Sequence, residues 1–374
     1  MTAPWDALVR STAPEPPADL AEDSEVDWAQ VCTLAASHGV TGHLGTSLSG
    51  SEVVPDAVRE RVDAERREQT MRSLRLTDGL CGVLDRLRSA SIRALPYKGP
   101  VLSVVAYGDP GVRDYVDVDL VVPPTEFERA REVLADAGFR TAERLRALGE
   151  VELVDDAGTV VDLHRSVLPR YFPHALEFAA LWDRRTSVDV GAETVPALAP
   201  ADRLLVLAVH GTKHRWYRLA WIRDVAAVVG HTTDWEAVRT RARALGCRRH
   251  VCLALWLASR LYGVDPPESA GALRDAGGVV GELGERIERD LRDGPAEPPD
   301  DAEQFRTQWL AFERVRDRVR FAGRVATIPS QADRESLALP PALSPVYRFV
   351  RPVRLLCGLG REAVQRCRRV ITGR

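Results

Sequence analysis

Apolar residues recur at helical spacing from Asp27 to about Leu48 and from Ala57 to Ser91. Leu74, Leu76, Leu80, Val83, Leu84 and Leu87 mark one face of the later segment. The pattern then shortens. Arg93 to Tyr97 reads as a brief strand, and Gly99 to Tyr107 as a short helix with Pro100 in its first turn. Tyr107-Gly108-Asp109-Pro110-Gly111 is a turn signal. Asp117 to Val122 reads as a strand stopped by Pro123-Pro124. A helix capped by Thr125 should run to Ala137 and stop at Gly138. Val151–Val154 and Val160–His164 form a strand pair about Asp155-Asp156-Ala157-Gly158, and Thr186–Val190 is an edge strand.

After Pro200 the helical period returns over Asp202–His210, Trp216–Val229, Trp235–Leu245, Arg249–Tyr262, Gly281–Leu291 and Asp301–Ala326. A Pro- and Asp-containing linker at 293–300 interrupts it. Helices, then a mixed strand region, then helices predict an α+β chain with a small mixed sheet between helical regions.

Composition narrows the picture. Hydrophobic residues make up 45% of the 374 residues and charged residues 28%, a globular balance. With a formal net charge of −3, the molecule as a whole does not attract nucleic acid, so any anion site must be local. No apolar run approaches the ~18 residues of a membrane span. The Met1-Thr2-Ala3-Pro4-Trp5 start carries no leader pattern, and the six cysteines lack a CxxC pair. These features lead us to expect a cytoplasmic protein with reduced thiols. Of 51 basic residues only Lys98 and Lys213 are lysines. A lysine that survives such a bias marks a position where a compact point charge is wanted.

The chemistry concentrates in Asp117-Val118-Asp119. Residues two apart on a strand share a face, so the two carboxylates would point together. At ~4 Å such a pair repels by roughly 4 kcal/mol at an effective dielectric near 20. It therefore calls for a cation, a shared proton or open water. Asp162, in Val160-Val161-Asp162-Leu163-His164, would complete a three-carboxylate site if the two strands were neighbours. Such a hard-oxygen set suits Mg²⁺, or Mn²⁺ in its place. Ahead of it, Lys98-Gly99-Pro100 opens a helix whose N-terminus could receive phosphate. Arg113 precedes the strand as a further phosphate candidate. His210, Lys213 and His214 share a helix face. With no third ligand nearby they read as a lid over triphosphate or acceptor rather than as a zinc site. Trp216 packs between helices or stacks on a base, and Asp224 anchors a helix through an ion pair.

Together these residues resemble the nucleotidyltransferases with a DNA-polymerase-β-like fold, and more closely a family of uncharacterised bacterial nucleotidyltransferases. The resemblance rests on Lys98-Gly99, Tyr107-Gly108-Asp109-Pro110, Arg113, Asp117-Val118-Asp119-Leu120-Val121 and Asp162-Leu163-His164. A second motif comprises His210, His214, Trp216 and Asp224. The resemblance covers about residues 70–230. It implies transfer of a nucleoside monophosphate from an NTP to an acceptor, with pyrophosphate released. Asp117 and Asp119 would bind both metal ions, and Asp162 the catalytic one. The broader superfamily has Gly-Ser or Gly-Gly where this chain has Gly99-Pro100, so Lys98 or Ser103 would replace the usual serine contact to triphosphate.

The expected organisation is an N-terminal helical region (1–70), a nucleotidyltransferase core (71–200), a helical domain (201–292) and C-terminal helices with a basic tail (301–374). The acceptor would be a small molecule, peptide or glycan rather than nucleic acid. Eight arginines after Val346 face one acid, Glu362, and leave an acidic partner open. Two rivals stand beside this reading. One is a glycosyltransferase that uses Asp117-Val118-Asp119 with a nucleotide sugar. The other is a nucleotide-binding protein of the same fold without chemistry.

Overall fold

The computed structural model describes residues 3–16, 26–49, 54–142, 150–232, 234–275 and 277–329, with 333, 346, 347, 349–352 and 354. The basic stretch beyond Arg354 lies outside the described residues.

Helices α1 (Pro4–Ser11), α2 (Trp28–His38), α3 (Thr41–Leu48) and α4 (Asp56–Ser89) come first. Helix α4 has 34 residues and runs without a break through the expected boundary at 70. Leu76, Leu80, Val83, Leu84 and Leu87 are buried along it, but Leu74 is 52% exposed and does not belong to the buried stripe.

The mixed region follows: β1 (Leu95–Pro96), α5 (Gly99–Tyr107), β2 (Val118–Val121), α6 (Phe127–Asp136), β3 (Arg140–Thr141), β4 (Glu150–Val154) and β5 (Val160–His164). Then come α7 (Phe178–Arg184), β6 (Thr186–Val190) and β7 (Glu193–Ala197). The main sheet has the order β1-β2-β5-β4-β3. Strands β2 and β5 are parallel and the other neighbours antiparallel. Strand β6 is not an edge of this sheet. It pairs with β7 in a separate two-stranded sheet.

Alternation explains what each face does. Val118, Leu120, Val161, Leu163, Val151 and Leu153 join α4 and α6 in one apolar cluster. The opposite face carries Asp119, Asp162, His164, Glu150 and Glu152, the intervening positions of the same strands. Strand β2 is shorter than expected, and Asp117 lies in the bend before it. The helix after β2 is capped by Glu126 rather than Thr125, without a side-chain bond.

The chain ends with α8 (Pro200–Lys213), α9 (Leu219–Val229), α10 (Trp235–Leu245), α11 (Arg248–Tyr262), α12 (Val279–Arg292), α13 (Asp301–Ala311) and α14 (Val315–Thr327). The single helix expected over Asp301–Ala326 is broken at Phe312. Helix α8 runs one turn further than its periodicity suggested, and α9 starts later, at Leu219. Between them Arg215 and Trp216 take φ of 54° and 53°, a left-handed conformation that costs non-glycine residues about 1–2 kcal/mol each. The turn folds the Trp216 ring back onto Gly211, where a Cβ would lie 2.3 Å from the ring. Burial of the whole Trp216 ring offsets the strain.

Candidate functional site

The parallel register places Asp119 directly opposite Asp162, and Val121 opposite His164. The β4–β5 hairpin then sets Glu152 opposite Asp162 and Glu150 opposite His164. Carboxylates from β2, β5 and β4 thus form one row across the sheet. Asp119, Asp162 and His164 each offer a ligand atom within 4.8 Å of the other two, so this group could hold a metal ion. Asp117 is outside that tight group, half-buried at the strand's entrance, and its charge is felt by Asp162.

Lys98 meets this row from the end of β1. Its Nζ donates to Asp119 Oδ1 at 2.7 Å, while Tyr97 N bonds Asp119 O at 3.2 Å. His164 bridges the row. Its Nδ1 is 3.7 Å from Glu150 Oε1, and its buried Nε2 points at Asp119 Oδ1 from 3.6 Å without a hydrogen-bond partner. A buried imidazole set between two carboxylates, in ion-pair range of both but too far from either for a hydrogen bond, is a donor set that a cation can use. The residues therefore fit a divalent metal. An entering cation competes with Lys98 for Asp119 and with the proton on His164.

Titration shifts follow from the crowding. Burial, with the charges of Asp117 and Asp119, pushes Asp162 up to about 7. Burial and the charge of Asp119 push Asp117 up to about 6. Burial would raise Asp119 as well, but Lys98 and His164 hold it well below the usual carboxylate range. For His164, burial opposes the charged form, yet Asp119 and Glu150 outweigh it and push the ring up to about 9. Glu150 is buried too, but His164 draws it down to about 2.

The last turn of α8 closes the arrangement. Lys213 feels the charges of Glu150, Lys98, Asp119 and Asp162, and burial depresses its pKa. The His210 and His214 rings lie tilted against each other, 4.8 Å between centroids, with Trp221 5.4 and 5.2 Å away. Burial keeps both rings neutral, His214 at about 3. Both surviving lysines thus stand at the carboxylate face.

Three residues expected at the phosphates serve elsewhere. Arg113 is buried, and its Nε donates to both oxygens of Asp224 at 3.0 and 2.9 Å, although its charge still reaches Asp117 and Asp119. Ser103 is wholly buried, and its hydroxyl donates to Asp109 O at 2.7 Å inside the Tyr107–Pro110 turn. Gly99 has φ +55°, and a Cβ there would lie 2.9 Å from Asp117 O. Its lack of a side chain lets α5 start against Asp117, which answers a packing need before any ligand need. Trp216, a stacking candidate, is wholly buried and donates to Thr212 Oγ1 at 3.3 Å, so its ring meets no ligand.

Glu150 and Glu152 join this face beyond the expected residues, and Trp221 stands beside the two histidines of α8. The two glutamates were within reach of sequence reasoning. The Asp155–Gly158 turn pairs Val154 with Val160, and counting back from it sets Glu152 against Asp162. Trp221 carries no comparable signal.

No curated protein matches the chain. One solved structure that does is described as an antigenic nucleotidyltransferase-like protein from Paracoccidioides brasiliensis. It shares 16% identity over 52% of this chain and 96% of its own, with a TM-score of 0.32. That overlap is too loose to bear on the site. The sequence model described as "Uncharacterised nucleotidyltransferase" matches residues 24–263, most of the chain and all of the carboxylate face. The chain belongs to this uncharacterised nucleotidyltransferase family.

Proposed function

We propose that the protein transfers a nucleoside monophosphate from an NTP to an acceptor hydroxyl, releasing pyrophosphate, with Asp117, Asp119 and Asp162 holding a divalent cation. The observation that carries this reading is the pairing of Asp119 with Asp162 on neighbouring parallel strands, with His164 beside them and one ligand atom of each within 4.8 Å of the others. When bound, Mg²⁺ or Mn²⁺ supplies charge neutralisation at the phosphate oxygens and lowers the pKa of a hydroxyl beside it. The imidazole among oxygen donors suits Mn²⁺ at least as well as Mg²⁺.

The chain's own residues divide the remaining work. Asp162, directly opposite Asp119 on the neighbouring strand, is placed to accept a proton from the attacking hydroxyl. Lys98 and Lys213 are compact charges for the triphosphate, one from the end of β1 and one from α8. His214 and Trp221 stand beside Lys213 as ring surfaces for the base. The acceptor is a small molecule, peptide or glycan, and an NTP donor suits a cytoplasmic setting. No described helix is long and apolar enough to cross a membrane.

A glycosyltransferase would have no use for Asp162 beside Asp119, so the shared register favours nucleotidyl transfer. The test is a thermal-shift series with each of the NTPs and Mg²⁺ or Mn²⁺, followed by pyrophosphate release with candidate acceptors. Metal-dependent stabilisation that Asp162→Asn removes is expected. No shift with any NTP in either metal overturns the reading. Binding without pyrophosphate release would mark a nucleotide-binding protein of the same fold.

A further inference from the structure

A cleft of about 640 Å³ opens where β2 and β5 end and β4 begins, lined among others by Phe127, Arg131, Glu150, Arg165 and Arg170. Its size is that of a small-molecule site. Ligands of sheets with parallel strands gather at the carboxyl ends of those strands, and this is the carboxyl end of the parallel pair β2/β5. Lys98 and Gly99 lie at the other end. In the antiparallel β1–β2 register Pro96 faces Leu120, so the chain beyond Pro96 runs toward Val118 and Asp117. Asp119 and Asp162 stand between the two ends. Glu150 links cleft and carboxylates, since it both lines the cleft and contacts His164.

Three arginines and two glutamates line the cleft wall. Arg165 donates to Glu128 Oε1 at 2.6 Å and to Pro124 O at 3.2 Å, and its guanidinium lies 4.1 Å from the Phe127 ring centroid. Arg131 donates to the other oxygen of the same Glu128 at 3.0 Å. One carboxylate thus orients two guanidinium groups. Arg170, also in the wall, makes no hydrogen bond or ion pair with any described residue. Oriented arginine forks match phosphate and carboxylate oxygens.

We propose that this cleft binds the anionic group of the acceptor, so that the acceptor is a small hydroxyl compound bearing a phosphate or a carboxylate. The inference rests on the nucleotidyl-transfer reading for the word acceptor, but the anion site stands on its own residues. With the donor's phosphates at the Lys98 end and the acceptor's anion at the Arg170 end, the acceptor hydroxyl reaches the Asp119–Asp162 pair between them.

The test uses the full chain and calorimetric titration with glycerol 3-phosphate, glycerate and, as the neutral control, glycerol. A second titration uses each NTP with Mn²⁺. We expect at least one anionic probe to bind more than tenfold tighter than glycerol. Arg170→Ala should weaken that binding at least fivefold and leave NTP affinity unchanged. Arg170 is exposed and has no partner among the described residues, so the variant should fold as the parent does. Equal binding of glycerol, or indifference of the anionic probes to Arg170→Ala, overturns the proposal and leaves the nucleotidyl-transfer reading intact. A drop in NTP affinity instead overturns it by assigning the cleft to the donor's phosphates. Arg170-dependent anion binding with no NTP binding at all would keep the anion site and sink the enzymatic reading. The phosphate and carboxylate probes separate the two chemical sources.

Discussion

Two buried ion pairs lie on the same side of the sheet, and they are built for different purposes. In the first, Arg113 grips both oxygens of Asp224 through Nε while Tyr107 OH donates to Oδ1 at 2.8 Å. Asp224 is wholly buried and both its oxygens are engaged. The pair ties the loop before β2 to α9, and it leaves nothing for a ligand to satisfy. In the second, Lys98 reaches one oxygen of Asp119, a second carboxylate stands opposite on the neighbouring strand, and the His164 Nε2 beside them is 3.6 Å from Asp119, short of a hydrogen bond. A carboxylate with both oxygens engaged closes a structure, whereas a point charge among surplus carboxylates leaves chemistry unfinished. Burial alone does not tell a working carboxylate from an anchoring one. The count of partners does.

The largest effect expected from breaking this contrast is on catalysis. Asp162→Asn should lower the rate of pyrophosphate release by about a thousandfold or more, since a metal-binding carboxylate supplies several kcal/mol of transition-state stabilisation. The same change should leave the urea midpoint unchanged or raised, because it relieves the crowding of three carboxylates. Unfolding of this variant would erase the distinction between the two pairs. Asp224→Ala should do the reverse. It strands the Arg113 guanidinium and should cost about 3–5 kcal/mol in urea unfolding, while the folded fraction retains its NTP affinity.

Smaller effects sharpen the comparison. Gly99→Ala places a Cβ against Asp117 O at a φ of +55°. It should cost about 1–3 kcal/mol of stability and weaken Mn²⁺ binding, measured by calorimetry, because Asp117 and Lys98 move together. The gentlest test is acid. His250 is wholly buried between Phe172 and Phe312, neither ring nitrogen has a partner, and burial lowers its pKa to about 3. The unfolded chain takes up a proton near 6.5 that the folded chain refuses. Stability contributed by the neutral ring is therefore complete above that value and is lost as pH falls from 6.5 toward 3. The slope is on the order of 1 kcal/mol per pH unit. His250→Leu should flatten the acid limb of the urea-midpoint curve and leave NTP binding untouched, which separates acid failure of the scaffold from failure of the site.

Much of this was legible in the chain itself, because it rests on local rules. Period two in Val118–Val121 and Val160–His164 put Val118, Leu120, Val161 and Leu163 on one face and Asp119, Asp162 and His164 on the other. The arginine-for-lysine bias singled out Lys98 and Lys213, and both stand at the carboxylate face. What no local rule reaches is partner choice. Asp119 and Asp162 become neighbours only through a parallel pairing across an intervening helix and hairpin. Lys98 and Arg113 looked alike as phosphate candidates until packing against α9 gave Arg113 to Asp224 and left Lys98 with Asp119. Ser103 and Gly99 were drawn into packing in the same way. Side-chain spacing along a strand or helix is set by backbone geometry and can be counted. Which charge meets which depends on how distant segments bury their apolar faces together, and only the folded chain decides that.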